Sequence, residues 1–257
     1  MTPLLCGNGF STIPLYQRMG VFSCLKITVK QRSCYALKLL ETSVEVNFQG
    51  AKLELLTVRW YLRYSLSFRD LVEIMEERGL SIAHTTIMRW VHQYGSELDK
   101  RVRRHLKKTN DSWRVDETYI KVKGQWMYLY RAVDSEGNTI DFYLSKTRDH
   151  KAAKRFFKKA LRSFHVSKPR VITVDKNPAY PIAVEEWRKE KNMPSGTQLR
   201  QKKYLNNIVE QDHRFIKKRV RSMLGLKSFR TATYILSGIE AMHMIKKKQV
   251  HQGGKSA

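Results

Sequence analysis

Apolar side chains recur at helical spacing from about Lys52 onward. In the segment LELLTVRWYLRY, the residues Leu55, Val58 and Leu62 fall on one face of a helix. The next segment, FRDLVEIMEERG, begins as a second helix, because Ser67 three residues before Asp70 has the spacing of a capping box. Two consecutive amphipathic helices are therefore predicted.

A third helical pattern, HTTIMRWVHQYG, follows a short turn. Ile87, Trp90 and Val91 form its apolar stripe, and Gly95 is expected to end it. Three short helices, the last two joined by a tight turn, predict a helix-turn-helix DNA-binding domain over 47–100. Its third helix would present these side chains to base edges: His84, Thr85, Thr86, Met88 and Arg89. A plain three-helix bundle with a solvated polar face is the alternative interpretation.

From Ser112 the period of the apolar residues falls toward two. Three β-rich segments, WRVDETYIKVKG, QWMYLYRAVDSEG and NTIDFYLSKTRD, are separated by turn signals, which predicts an antiparallel meander. A helix over HKAAKRFFKKALRSF, a buried strand at 170–175, a helix starting at Pro178 and a mostly helical remainder from Tyr204 to Lys248 follow. This order predicts an α/β fold with a mixed β-sheet flanked by helices, preceded by an all-α domain.

The net charge of the chain says more about its binding partner than the rest of its composition does. The 257 residues include 49 Lys and Arg against 23 Asp and Glu, a net charge of +26. A charge of this size is most readily maintained beside a polyanion, so double-stranded DNA is the expected partner. The basic connector 101–111 suits phosphate contacts. No apolar run approaches the roughly 18 residues that span a bilayer, and no secretory signal is recognised, so a cytosolic protein without a membrane partner is expected.

The few acidic residues narrow the search for a reactive site. Phosphoryl transfer on DNA uses two hard divalent cations about 4 Å apart, held by carboxylates. Asp116 lies in the first strand, and Asp175 ends the buried strand RVITVD. Glu210 lies in the helical pattern KYLNNIVEQDHRFIKKRV. Glu117 competes with Asp116, because strand alternation sends the two side chains to opposite faces.

The neighbours of Glu210 carry positive charge. His213 and Lys217 lie one and two turns after it on the same helical face. His213 is expected either to touch DNA or the reacting phosphate, or to pair with Glu210. Lys217 is expected to contact the end of a bound DNA. A general phosphate-binding face is expected from the cations that follow it: Lys218, Arg219 and Arg221.

Other residues have plainer interpretations. The apolar residues around Glu210 are expected on the buried side of the helix: Leu205, Ile208, Val209, Phe215 and Ile216. Four tryptophans lie within apolar patterns and are expected in the core: Trp60, Trp90, Trp126 and Trp187. Asp134 and Asp141 are expected in a turn and on the surface. The cysteines are too widely spaced for a zinc knuckle and are expected as free thiols: Cys6, Cys24 and Cys34.

Four motifs in order resemble the insertion sequence six family of bacterial transposases. They are WRVDETYIKVKGQWMYLYRAVDSEGNTIDFYLS, VITVDKNPAY, KYLNNIVEQDHRFIK and LGLKSFRTATYILSGIEAM. The similarity begins near Val58 and continues to about Lys248. It implies an RNase H-like catalytic core over 112–250, with the metal-binding catalytic triad on Asp116, Asp175 and Glu210. Two Mg²⁺ ions per site are expected, with Mn²⁺ as the alternative ion.

The resemblance also implies a reaction. Such enzymes bind the terminal inverted repeats of their element, cleave to expose a 3′ hydroxyl and join it to target DNA, generally by replicative cointegrate formation. A homo-oligomer in the synaptic complex, action at the nucleoid and no small-molecule substrate are expected. Residues 1–46, an atypical segment of unknown role, and the tail 251–257 match nothing in the family. A DNA-binding regulator with a degenerate catalytic domain is the alternative.

Overall fold

A computed structural model of the protein describes residues 50–190, 193, 196–223 and 226–251. The predictions for the segment 1–46, for its three cysteines and for the tail beyond His251 lie outside these residues. The elements run in the order α1 (Gly50–Arg63), α2 (Phe68–Glu76), α3 (His84–Arg104), β1 (Ser112–Val122), β2 (Gln125–Asp134), β3 (Thr139–Ser145), α4 (His150–Leu161), β4 (Val171–Val174), α5 (Ala179–Lys189), β5 (Gln198–Gln201), a 3-10 turn (Lys203–Asn206), α6 (Asn207–Ser222) and α7 (Phe229–Lys246).

One five-stranded mixed sheet forms the centre of the fold, in the order β3-β2-β1-β4-β5. The first three strands form the predicted antiparallel meander, while β4 runs parallel to β1 and β5 runs parallel to β4. Helices cover both faces. The predicted α/β class with an RNase H-like mixed sheet is thereby confirmed.

The two faces of the sheet have separate hydrophobic cores. On one face, Trp113 and Tyr130 pack with Phe156 of α4 and Trp187 of α5. On the other face, side chains of β1, β2 and β3 share a single cluster with α1, α2, α3, α6 and α7. The three N-terminal helices are therefore built into the same core as the sheet.

The capping box at the start of α2 is confirmed. The Ser67 hydroxyl accepts a hydrogen bond from the Asp70 backbone N–H, and the Asp70 carboxylate accepts one from the Ser67 backbone. These bonds satisfy N–H groups that the first turn of a helix leaves unpaired. The predicted end of the third helix at Gly95 is wrong, because α3 continues to Arg104 and takes in the first part of the predicted basic connector.

Gly95 serves helix packing instead of helix termination. A Cβ at this position would lie 2.9 Å from the Tyr234 carbonyl oxygen of α7, and one at Gly238 would lie 2.9 Å from the Gly95 Cα. Two glycines therefore allow the backbones of α3 and α7 to approach closely.

Several predicted side-chain environments are wrong. Asp141 is buried beside Arg103 and Lys159, and Asp134 forms the expected turn hydrogen bonds but is itself buried. Arg219 is buried as well, and its guanidinium donates to the carbonyl oxygens of Tyr61 and Leu62 at the end of α1. Burial lowers the pKa of Arg219 to about 10. Three predicted core residues are exposed: Trp126, Leu205 and Ile208.

Candidate active site

Parallel pairing of β1 with β4 brings two of the predicted carboxylates together. Arg114 of β1 lies opposite Thr173 of β4. Asp116 and Asp175 each follow this pair by two residues, so equal rise along both strands places them side by side. Asp175 comes directly after the last residue of β4, where the strand end opens onto the edge of the sheet.

Glu117 joins these two residues in a three-carboxylate cluster. One oxygen from each of Asp116, Glu117 and Asp175 lies within 4.8 Å of the others. Convergent carboxylate oxygens are the ligands that hard divalent cations prefer, so the donor set fits a Mg²⁺-type ion. Among the described residues, Glu210 is not part of this cluster.

The strand alternation that separates Asp116 from Glu117 decides their surroundings. Glu117 is buried on the face covered by α4 and α5, where it accepts hydrogen bonds from the Tyr180 hydroxyl and from Asn177 Nδ2 at 3.1 Å. The guanidinium of Arg148 forms an ion pair with the same carboxylate. Both oxygens of Glu117 are therefore engaged by protein donors.

Asp175 lies in a field that disfavours its ionised form. Burial raises its pKa; a hydrogen bond from the Asn177 backbone N–H at 3.0 Å lowers it, whereas the charges of Glu117 and Asp116 raise it further. The Arg148 guanidinium, 3.8 Å from Asp175 Oδ2, acts in the opposite direction. Crowded negative charge of this kind is relieved by a bound cation.

His213 lies on the inner side of α6 and faces β1. Its side chain is buried, and its Nε2 lies 3.3 Å from Asp116 Oδ2. Within the described part of the chain, neither ring nitrogen forms a hydrogen bond of good geometry. His213 thus contacts Asp116, whereas the sequence suggested Glu210 as its protein partner.

Glu210 lies in the first turn of α6, and its side chain is exposed. The start of this helix is attached to β1 next to the cluster, because Asn206 Nδ2 donates to the Val115 carbonyl oxygen at 3.1 Å. A second attachment lies six residues further along the chain. There Asp212 Oδ2 accepts from the fully buried Arg131 at 2.7 Å.

Arg131 is the centre of a buried ion network between β2 and the last two helices. Its guanidinium also bonds both carboxylate oxygens of Glu240 in α7, at 2.7 and 2.9 Å. His243 Nε2 and Lys247 Nζ contact Asp212 at 2.6 and 2.7 Å. The network fixes the helix that carries Glu210 against the sheet.

The predicted DNA-binding residues fall in two places. At the start of α3, His84, Thr85 and Arg89 are exposed, and Thr86 and Met88 are half-buried. On α6, the predicted cations Lys217, Lys218 and Arg221 are all exposed. Lys217 and Arg221 line a groove against the β1–β2 hairpin.

Sequence reasoning missed the three partners of Glu117. Asn177 and Tyr180 follow Asp175 closely, so their position after a strand-end carboxylate was an available signal. Arg148 lies in the loop between β3 and α4, and no pattern in the sequence distinguishes it from the other surface arginines.

Comparisons with known proteins find similar sequences and structures. A family model described as a DDE domain matches residues 110–249. The transposase of insertion sequence-like element IS431mec from Staphylococcus aureus strain Mu50 is 42% identical over 191 residues, which are 74% of this chain and 83% of that protein. The Staphylococcus aureus transposase of IS257 in transposon Tn4003 is 41% identical with the same coverage.

Among solved structures, the magnesium complex of the HTLV-2 integrase catalytic core domain, in its trimeric form, is similar with a TM-score of 0.39 and 18% identity. The similarity covers 51% of this chain and 84% of that chain. Within the described residues, no helix has the length and apolar character needed to cross a membrane.

Proposed function

Because the chain belongs to the insertion sequence six family of DDE transposases, we propose that it binds the terminal inverted repeats of its insertion sequence and moves them by cleavage and strand transfer. Replicative cointegrate formation is the proposed overall route. The observation that carries this proposal is the pair Asp116 and Asp175, held side by side by the parallel register of β1 and β4.

The proposed metal ligands are Asp116, Asp175 and Glu210. When bound, two Mg²⁺ ions, or Mn²⁺ in their place, supply Lewis acids that activate the attacking oxygen and stabilise the leaving oxygen. Glu117 is assigned a positioning role, because its oxygens already accept hydrogen bonds from Tyr180, Asn177 and Arg148. Asn177 and Arg148 also contact Asp175, so Glu117 would orient that ligand through them.

The proposed chemistry has two balanced steps. In the first, a water oxygen attacks the phosphorus at the end of the element, and the bond to the 3′ oxygen breaks to leave a 3′ hydroxyl and a 5′ phosphate. In the second, that hydroxyl oxygen attacks a target phosphorus, and the displaced target 3′ oxygen takes up a proton. Each step exchanges one phosphorus–oxygen bond for another, so no covalent enzyme intermediate is needed.

DNA contacts are proposed at both basic surfaces. The start of α3 would read base edges through these residues: His84, Thr85, Thr86, Met88 and Arg89. Lys217, Lys218 and Arg221 of α6 would hold backbone phosphates. His213, buried against Asp116, would act on the reacting phosphate through that carboxylate. Pairing of two DNA ends would require a homo-oligomer, and the bacterial nucleoid is the proposed site of action.

A strand-transfer assay tests this function. A labelled duplex with the terminal repeat of the element that encodes the chain is incubated with target plasmid and Mg²⁺. The intact protein should join the two, a chelator should abolish joining, and Asp175→Asn should abolish joining while end binding in a gel shift is retained. Asp111→Asn, at an exposed ion pair with Arg170, is the matched control and should join normally.

Two outcomes would overturn the proposal. Tight end binding by the intact protein without any joining would make it a DNA-binding regulator. Equal loss of binding and joining in Asp175→Asn would make Asp175 a structural residue.

A further inference from the structure

An open groove of about 880 Å³ lies between the β1–β2 hairpin and α6. One wall carries Tyr119, Trp126 and Tyr128 of the hairpin, and the other carries Lys217 and Arg221. Tyr119 follows Asp116 by three residues on β1, which places it about 10 Å along the strand from the carboxylate cluster. The groove is thus adjacent to the candidate active site and distinct from it.

The aromatic wall is exposed. The exposed fraction is 63% for Trp126 and 46% for Tyr119. Cross-strand register places Tyr119 opposite Tyr128, with ring centroids 5.2 Å apart, and the Trp126 ring lies 6.4 Å from Tyr119. The ring planes are not parallel, because Tyr119 stands at 86° to Trp126 and at 55° to Tyr128. Aromatic side chains gain free energy when they are covered, so the most exposed ring, Trp126, offers a face on which one flat apolar ligand can stack.

The opposite wall is cationic. Lys217 and Arg221 are exposed and lie four residues apart on α6, so they project from the same helical face one turn apart. Lys121 adds a third cation, with its Nζ 5.7 Å from the centre of the Trp126 ring. The residues of the described chain that line the groove include no carboxylate. The ligand must therefore combine an aromatic face with negative charge.

We infer that this groove binds an unpaired nucleotide of DNA, with its base stacked on Trp126 and bordered by Tyr119, whose ring stands at 86° to that of Trp126, and its phosphate between Lys217 and Arg221. Proteins that bind single strands combine such stacking platforms with basic grooves. A base inside a duplex has both faces covered by its neighbours, so only an unpaired base can use the aromatic wall. The inference rests on the proposed function, because cleavage and joining produce strand ends beside the carboxylate cluster.

Binding of the full chain to oligonucleotides tests the groove without any chemistry. The probes are a fluorescein-labelled oligothymidylate and a duplex of the same length, followed by anisotropy without divalent metal. Trp126→Ala should weaken oligothymidylate binding by about 5- to 150-fold, the usual range for loss of one stacked base. Duplex binding should change less than about twofold, because phosphate contacts dominate it.

Two variants serve as controls. Trp126→Phe keeps an aromatic face and should retain most of the single-strand affinity. Phe164→Ala removes a fully exposed ring outside the groove and should have no effect. Thermal unfolding of each variant verifies the fold. Oligothymidylate should also quench tryptophan emission in the wild-type protein, and this quenching should be lost in Trp126→Phe.

Three results would overturn the inference: wild-type oligothymidylate affinity in Trp126→Ala, equal weakening of single-strand and duplex binding, or equally strong quenching of Trp126 by polyglutamate, which would indicate an acidic peptide as the ligand. Failure of strand joining with this binding pattern intact would refute the proposed function and leave the groove assignment standing.

Discussion

Asp141 lies in the interior of the protein between two cations. Its Oδ1 is 2.8 Å from Arg103 Nη2 and 3.0 Å from Lys159 Nζ, and it accepts a hydrogen bond from the Phe142 backbone N–H. Burial alone raises the pKa of Asp141, but the charges of Arg103 and Lys159 outweigh burial and hold the pKa below its usual value. The carboxylate is therefore a stabilising charge at neutral pH.

Asp141→Asn should lower the free energy of unfolding at pH 7 by about 3 kcal/mol, because the amide leaves Arg103 and Lys159 without this counter-charge. A lowered folded-state pKa contributes stability above the unfolded value of about 3.9, and that contribution is lost as the pH falls through the folded-state pKa. Urea unfolding at pH 7 and below pH 4 should therefore show a difference that narrows in acid.

Asp111→Asn is the control for this substitution, since its ion pair with Arg170 is exposed and should contribute less than about 1 kcal/mol. A deficit in Asp141→Asn of the same size at both pH values would show that its charge does not act as described.

The environment of a charged or aromatic side chain depends on contacts distant in sequence. The charge of Asp141 and Arg219 favours the surface, yet partners from α3, α4 and α1 bury them. Trp126 was expected in the core because its segment is apolar, yet no described helix covers it at the end of the hairpin. Local periodicity carries no information about such distant partners.

The crossing of α3 and α7 depends on two glycines. A Cβ at Gly95 would approach the Tyr234 carbonyl oxygen to 2.9 Å, and this oxygen belongs to a helical backbone that cannot rotate away. In an uncrowded helix, Gly→Ala stabilises by about 1 kcal/mol through helix propensity. Here the overpacking cost of about 1–3 kcal/mol opposes that gain.

Gly95→Ala should consequently lower the midpoint of thermal unfolding, whereas Gln93→Ala, at an exposed position of the same helix, should leave it unchanged or raise it. A higher midpoint in Gly95→Ala would mean that the two helices can move apart without loss of stability, so that their close approach is not required.

Elements with a strong local pattern of apolar and polar residues could be predicted from the sequence. Elements that form only through contacts with residues distant in sequence could not. The capping box of α2 and the alternation of β1 to β3 identified those elements because the signals are local. The strand β5, Gln198–Gln201, has little apolar pattern and forms only by pairing with β4. For α3, Gly95 resembles a helix stop in the sequence, but it lies at an interhelical contact within the helix.

At the scale of the whole molecule, one core unites the three N-terminal helices with the sheet that carries Asp116. Side chains of α1, α2 and α3 pack in the same cluster as Ile120 of β1 and Ile216 of α6. The acidic site is a local concentration of negative charge in a chain of net charge +26. A DNA strand attracted by the surrounding cations would therefore meet concentrated negative charge at the proposed metal site.

The strand pattern made Asp116 and Asp175 candidates, because one lies in a recognisable strand and the other directly follows one, and the family resemblance assigned both to the triad. The pairing of β1 with β4 brings them together. The residues alone did not decide between Asp116 and Glu117, and the family resemblance selected Asp116. The hydrogen bonds of Glu117 support the assignment of Asp116 as the ligand. They are formed by Arg148 and Tyr180, and no local sequence pattern predicts that these residues contact Glu117.

The most direct test compares strand joining by four variants in Mg²⁺: Asp116→Asn, Asp175→Asn, Glu210→Gln and Glu117→Gln. The first three should give no joined product while still binding transposon ends. Glu117→Gln should join about 10- to 100-fold more slowly, the usual effect of removing an outer partner of a metal site. Wild-type joining by Glu210→Gln together with no joining by Glu117→Gln would contradict the account, because it would place the third metal ligand on β1.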